Sequence, residues 1–329
     1  MVTSADFLTL SYSDDLTWAG IAYGLRSLPY FYSQRCENIP ERLRQIVAYK
    51  GVELAFKRYL VAREIPHEVW GSAQFANPED CLLNLGGWRC ALSTSLLLEK
   101  NRIRLAHQSP QTLLQAQTVI PAEQVPGLPQ VRNWIYVFAF LTALITGTRQ
   151  RVEQAVKAGQ HVHLIHSLPA DVSRSRDGNP IGKVTLKCDT TEPVEVTLGG
   201  QNIKGEFQTT RLMLIPRERV EALVNFQTLS YLQVAKWPDG VIGVHIPTWE
   251  EPYLISSSQW ANIWVYGMRM VFVGYLQGET FARKAKRLPS GNRIFSGQRT
   301  QTENLTLPVH ELRPLKELFA RTREWSNKA

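Results

Sequence analysis

The chain has 329 residues, of which 44% are hydrophobic and 20% charged, so it is long enough for two packed units of an ordinary globular protein. Its longest apolar stretch, residues 135–145, is far shorter than the roughly 20 residues that cross a bilayer, which argues against a membrane partner. The opening residues show no basic region followed by an apolar segment, so we expect a cytoplasmic protein rather than a secreted one. The cysteines lack CxxC spacing, which predicts reduced, mostly buried thiols at Cys36, Cys81, Cys90 and Cys188.

The positive charge is concentrated near the end of the sequence. The chain carries a net charge of +8, and residues 279–329 hold eleven Lys or Arg against five Glu, which gives +6 for that stretch. A basic stretch attracts polyanions mainly by releasing counterions from phosphates. Charge alone does not distinguish such a surface from a merely solvated one.

The first half of the chain is predicted to alternate helices with strands. Hydrophobic periodicity and the Gly and Pro positions predict these elements in chain order: an irregular aromatic-rich segment over 1–38, a helix over 39–64, strands over 67–71, 80–85 and 88–97, a helix from Pro110 through Val119, a strand over 133–141, a helix over 149–158 and a strand over 161–166.

Beyond residue 169 the pattern changes to short strands separated by Gly, Pro and Asp. This pattern is typical of an antiparallel sandwich or barrel. Strands are predicted over 183–188, 194–198, 207–215, 230–236, 241–246, 262–266 and 270–276, with basic helices over 280–287 and 311–325. We therefore expect three parts, an N-terminal segment over 1–38, an α/β domain over 39–169 and a β-rich domain with basic C-terminal helices over 170–329.

One predicted hairpin has the form that metal-dependent nucleases use. A nuclease of this type needs carboxylates that hold Mg²⁺ and a cation beside the attacking water. A hairpin supplies them when its first strand carries an Asp and its second carries an acidic residue two positions before a Lys, because alternate strand positions share a face. The segment PEDCLLNLGGWRCALSTSLL, residues 78–97, has this form, with Asp80 on the first strand and Gly86 and Gly87 at the turn.

On these residues the segment resembles the core hairpin of the PD-(D/E)XK nuclease superfamily. The resemblance covers residues 39–141 and includes the order helix, three strands, helix, strand, so it implies a restriction-endonuclease-like α/β core, a mixed sheet flanked by helices, beside the β-rich part. It implies that Asp80 and Glu53 are the catalytic and metal-binding carboxylates, with Mg²⁺ as the cofactor. Where the family has an acidic residue and a Lys, this chain has Ala91 and Ser93, so the resemblance implies an impaired catalytic site.

Three explanations of the lost residues remain open from the sequence. The chain is a degenerate nuclease fold retained for binding, or a sequence altered at these two positions, or a protein whose catalytic residues have moved or whose resemblance to the family is misleading. Glu99 and Lys100 are candidates for a relocated pair, against the alternative of a charged strand end at a turn.

Other residues give weaker functional signals. His161 and His163 would share one face of a strand, whereas His166 would point to the other, so a polar strand is favoured over a metal site. The aromatic residues of the second half are expected mainly in its core, although aromatics beside Arg also stack unpaired bases. The candidate phosphate contacts are the basic residues Arg283, Lys284, Lys286, Arg287, Arg293 and Arg299.

Taken together, these features predict a nucleic-acid-binding protein that is impaired as a nuclease. We expect DNA rather than RNA as its partner. The resemblance to the PD-(D/E)XK nucleases implies that the protein belongs to a larger bacterial nucleoprotein complex, such as a defence or mobile-element system. The alternatives are an active Mg²⁺-dependent DNA endonuclease and a non-catalytic protein-interaction subunit.

Overall fold

A computed structural model describes residues 1–31, 38–69, 75–76, 83–127, 130–174 and 179–326 of the chain. The α-helices are α1 Asp14–Phe31, α2 Ile39–Ala62, α3 Lys100–Gln108, α4 Arg149–Lys157, α5 Ala170–Ser173, α6 Gly278–Lys284 and α7 Leu315–Ser326. The strands of the first half are β1 Leu8–Ser11, β2 Glu68–Val69, β3 Leu83–Leu85, β4 Trp88–Leu97, β5 Gln117–Pro121, β6 Trp134–Leu144 and β7 Leu164–Ser167. Those of the second half are β8 Ile181–Cys188, β9 Val194–Gln201, β10 Phe207–Leu214, β11 Arg219–Phe226, β12 Thr228–Val234, β13 Ile242–His245, β14 Tyr253–Ile255, β15 Ala261–Asn262, β16 Tyr266–Gln277, β17 Lys286–Leu288 and β18 Asn304–Pro308.

These elements form a mixed α/β fold that divides into two compact units. Unit 1 comprises residues 1–20, 48–145 and 265–329, and unit 2 comprises residues 21–47 and 146–264. The units therefore interleave along the chain, whereas the sequence predicted consecutive segments with a boundary at residue 169. The physical reason is β16, which pairs antiparallel with β6 from Tyr266 to Gln277 and so brings the C-terminal residues into unit 1.

Unit 1 is built on a six-stranded mixed sheet in the order β1, β16, β6, β4, β3, β2. Its centre is β6, in which nearly every residue from Ile135 to Ala143 is buried, as expected for a strand covered on both faces. β4 runs parallel to β6, and all other strand pairs of this sheet are antiparallel. A second sheet of unit 1 has the order β17, β18, β5.

Unit 2 contains a five-stranded sheet, β10-β9-β12-β7-β15, and a four-stranded sheet, β11-β8-β13-β14, in which the strand pairs are antiparallel. Both sheets contribute to one apolar core, with Leu198 and Leu232 from the first and Leu186 and Val244 from the second. This is the sandwich pattern that the short strands predicted. The prediction omitted β11 and β14 and ran a strand over 262–266, where the structure ends β15 at Asn262 and begins β16 at Tyr266.

Several predicted elements need correction. The N-terminal segment is not irregular, because Asp14 and Asp15 lie in the first turn of α1 and buried apolar residues recur along it at helical spacing. The helix predicted from Pro110 through Val119 is a 3-10 helix over Pro110–Gln115 followed by β5. The helix predicted over 280–287 ends at Lys284, after which β17 begins. The prediction lacked α3.

Two further features bear on the class of protein. In the part of the chain that the structure describes, no helix is long and apolar enough to cross a membrane. Cys90 and Cys188 are buried, as predicted, while Cys36 and Cys81 lie outside the described residues.

Candidate functional site

The predicted hairpin is present in unit 1. Leu85 pairs with Trp88 across the turn, and Gly86 and Gly87 adopt φ of 58° and 87°, the left-handed conformation that glycine tolerates. β4 has the predicted bounds, Trp88–Leu97. The proposed metal ligand Asp80 lies outside the described residues, so the structure gives no distance from its carboxylate to the second strand.

Ala91 and Ser93 point to one face of the sheet, and that face is covered. In the parallel register Ala91 lies beside Tyr136 and Ser93 beside Phe138, and paired residues share a face. Ala91 packs against the apolar cluster that contains Tyr136 and Phe138. The Ser93 hydroxyl donates a hydrogen bond of 2.9 Å to the carbonyl oxygen of Val119, which lies in β5. β5 of the second sheet of unit 1 therefore packs on the face of β4 that carries these two side chains.

α2 packs on the opposite face. The Phe56 ring of α2 stacks on Phe272 with centroids 5.0 Å apart, Phe272 pairs with Ala139, and Ala139 pairs with Thr94 of β4. Because Thr94 follows Ser93, the two side chains point to opposite faces. Glu53 lies one turn before Phe56 on the same side of α2. The structure therefore does not bring Glu53 together with Ala91 and Ser93.

Glu53 is already neutralised by its own helix. Glu53 is 6% exposed, and its carboxylate accepts hydrogen bonds from Lys50 Nζ at 2.8 Å and from Lys57 Nζ at 2.6 Å. The two ammonium groups balance the charge of this buried carboxylate, so no metal ion is needed to do so. Among the described residues, no group of three or more His, Cys, Asp or Glu side chains is arranged to hold a metal ion.

The second candidate pair, Glu99 and Lys100, lies where α3 begins. Glu99 precedes the helix and accepts hydrogen bonds from Arg102 Nε and from Arg293 Nη2, each at 2.8 Å. The Arg102 guanidinium, and then that of Arg293, lower the pKa of the Glu99 carboxyl. Glu99 therefore joins α3 to the loop that carries Arg293, and Lys100 is exposed at the first position of the helix.

The basic residues predicted to contact phosphate are all exposed. We call them the cationic segment, which runs from the end of α6 through β17 into the following loop and comprises Arg283, Lys284, Lys286, Arg287, Arg293 and Arg299. The backbones of Arg293 and Arg299 form an isolated β-bridge, so these two residues lie side by side.

Three cations of this segment have carboxylate partners. Lys284 Nζ lies 3.2 Å from Glu311, Arg287 Nη1 lies 2.9 Å from Glu303, and Arg293 pairs with Glu99. For Arg283, Lys286 and Arg299, the described part of the chain supplies no carboxylate within ion-pair distance. Exposed ion pairs are weak, so phosphates can displace these glutamates.

The loop after β17 is held against α3. The Arg102 guanidinium lies 5.3 Å from the centre of the Phe295 ring and also donates to the Phe295 carbonyl oxygen. Two further cations, Lys100 and Arg104, lie exposed on α3. Neither residue is among those predicted from the sequence to contact phosphate. The signal was their spacing of four residues in KNRIRLAHQ, which places both on one side of a helix.

The histidines do not form a site. The predicted strand over 161–166 begins only at Leu164, so His161 and His163 do not share a strand face. Burial lowers the pKa of His163 to about 4, and its ring contacts Gln233 at 3.3 Å. His166 contacts the Tyr253 hydroxyl at 3.2 Å, and burial lowers its pKa. The His163 and His166 rings are therefore buried, each with a hydrogen-bonding partner of its own.

The aromatic side chains of the second half lie mostly in cores, as their composition predicted. Trp264, Tyr231, Tyr275 and Phe226 are at most 1% exposed, and Trp260 is 3% exposed. Rings at this depth stabilise the fold and do not present a face for stacking bases.

Comparison with known proteins identifies no family. No family model matches the chain, and no curated protein matches it. A solved structure described as "CC2D1B coordinates ESRCT-III activity during the mitotic reformation of the nuclear envelope" aligns with 94% of this chain and 91% of that chain, at 7% identity and a TM-score of 0.13. A similarity this low shows neither a shared fold nor a shared function.

Proposed function

We propose that the chain binds nucleic acid through the cationic segment and does not cut it. The observation that carries this proposal is the exposure of all six basic side chains within residues 283–299, three of them with no carboxylate at ion-pair distance among the described residues. A solvated cation without a carboxylate partner binds a phosphate and releases its counterion without first breaking an ion pair inside the protein, so its binding free energy is not reduced by that step.

The order of elements around the hairpin supports a nuclease-like origin for this unit. α2, β2, β3, β4, α3 and β6 follow one another as helix, three strands, helix and strand, with β5 inserted before β6. The restriction-endonuclease-like class, the preference for DNA over RNA and the setting in a bacterial defence or mobile-element complex remain parts of the proposal. Bound Mg²⁺ is not required by it.

Loss of catalysis is supported by the surroundings of the two substituted positions. Ala91 and Ser93 supply neither a metal ligand nor a cation, and β5 occupies the face to which they point. Glu53 is engaged by two lysines. A binding role uses the exposed basic surface and needs none of these groups.

The test measures binding of labelled single-stranded DNA, duplex DNA and RNA by fluorescence anisotropy at several salt concentrations. We expect affinity to fall with salt, with a slope of log Kd on log salt of about 0.7 per neutralised phosphate for single strands and about 0.9 for duplex DNA. Combined Arg283→Ala, Lys286→Ala and Arg299→Ala should lower the slope by about 2 to 3.

A matched control removes the same charge from unit 2. Arg211 and Lys236 are exposed and Lys183 is half-buried, and each forms an ion pair with a glutamate. Their combined change to alanine should leave the slope unchanged. Absence of binding at low salt, or binding that salt does not weaken, would refute the proposal. Cleavage that depends on Mg²⁺ would instead favour the endonuclease, and capture of a protein partner without nucleic acid would favour the interaction subunit.

A further inference from the structure

A pocket of about 390 Å³ lies beside α3 in unit 1. Its apolar lining comes from Ile103 of α3, Leu144 at the end of β6 and Met268 near the start of β16. Leu144 is 38% exposed and Met268 47% exposed, so two large apolar side chains lie open to solvent at one place. The volume falls in the usual range of small-molecule pockets.

The surface of the pocket is almost wholly apolar, and charged and polar residues stand at its margin. Lys100, Arg104 and Gln108 follow one another at four-residue intervals along α3, and all three are exposed. None of the described residues that line the pocket is acidic. The pocket is therefore suited to a ligand that combines an apolar face with negative charge at its edge.

His107 also lines the pocket, and its ring is held neutral. The Thr142 hydroxyl donates to the Arg269 carbonyl oxygen at 3.2 Å, so Nε2 of His107 donates to the Thr142 hydroxyl oxygen at 3.0 Å. Burial, and then the positive charge of Arg269, lower the pKa of His107. The pocket thus offers a neutral aromatic ring beside its apolar floor and its cations.

We propose that this pocket receives one unstacked nucleobase of a single strand whose phosphates contact Lys100 and Arg104. A base has apolar faces that suit Ile103, Leu144 and Met268, and the phosphates on either side of it carry the negative charge that suits the cations at the margin. The inference rests on the proposed function, since Glu99 ties the start of α3 to Arg293 of the cationic segment and so places the pocket beside it. A base in a duplex must first be unpaired and unstacked, so single-stranded nucleic acid is the preferred substrate.

The experiment uses the full chain and a single-stranded DNA oligonucleotide that carries 2-aminopurine, a base whose fluorescence rises when it leaves the stack. Binding of the wild type should raise the fluorescence. Leu144→Asn and Met268→Asn should each reduce this rise and weaken binding, by less than the roughly 5- to 100-fold that loss of a base stacked on an aromatic ring gives, because these side chains are aliphatic.

Leu105→Asn is the matched control, because Leu105 is 47% exposed on α3 but does not line the pocket. It should bind and fluoresce like the wild type, and thermal unfolding checks that all three variants are folded. Salt-dependent binding with fluorescence equal in the wild type and both pocket variants would overturn this inference alone and leave the pocket to an apolar protein segment. Absence of any nucleic-acid binding would refute the proposed function as well.

Discussion

Placing an acidic residue at position 91 and a Lys at position 93 tests whether this face of β4 borders an open catalytic site. Ser93→Lys removes the hydrogen bond to Val119, a loss of about 1 kcal/mol. Ala91→Asp places a carboxylate against an apolar cluster, which costs about 1–3 kcal/mol. We therefore expect the double variant to lose roughly 2–4 kcal/mol of unfolding free energy and to gain no nuclease activity.

Urea unfolding followed by tryptophan fluorescence measures the first effect. With an m-value of about 3 kcal/mol per molar, the midpoint should fall by about 1 M. Ser93→Ala alone, which removes only the hydrogen bond, should lose about 1 kcal/mol. Cleavage is assayed on labelled DNA with Mg²⁺ and with chelator. A double variant as stable as the wild type that cuts DNA only with Mg²⁺ would refute the argument that β5 covers the site.

Other predictions concern stability. Burial lowers the pKa of His163 from 6.5 to about 4, so between these pH values the unfolded chain binds a proton that the folded protein does not bind. Roughly 3 kcal/mol of the unfolding free energy present above pH 6.5 should therefore be lost as the pH falls towards 4. Urea midpoints measured against pH should show this loss in the wild type and not in His163→Gln. Gly86→Ala should cost about 2 kcal/mol or more, because φ is 58° and its Cβ would lie 2.9 Å from Trp325, whereas Gly87→Ala, with open space around it, should cost about 1 kcal/mol in the same assay. Glu53→Gln should lower the unfolding free energy by about 3 kcal/mol, because it removes the carboxylate that two lysines share. If Mg²⁺ raised the melting temperature of the wild type but not that of Glu53→Gln, this structural role would be contradicted.

Local sequence patterns predicted an element correctly where its conformation depended on its own consecutive residues. The glycine pair required a turn, and the alternation after it gave β4 its bounds. The unbroken apolar run of β6 indicated a strand buried on both faces. These features were predictable because backbone conformation and strand burial leave their signal in consecutive residues.

Local sequence patterns gave the wrong element where pairing with a strand far away in the sequence decided the conformation. Residues 117–121 form a strand because β18 pairs with them, from Asn304 opposite Pro121 to Pro308 opposite Gln117. A helix pattern that begins at Pro110 gives no hint of this pairing. At the N-terminus, aromatic residues hid the helical spacing of the buried positions of α1.

The sequence by itself determined that a hairpin joins β3 to β4 and that basic residues cluster over 283–299. Only the tertiary structure decided that β5 packs on Ser93, that Arg293 pairs with Glu99 and that α3 adds its pocket beside the cationic segment. The reason is that composition and periodicity describe residues that are close together in the sequence. The exposure of a cation and the covering of a strand depend instead on residues far away in sequence.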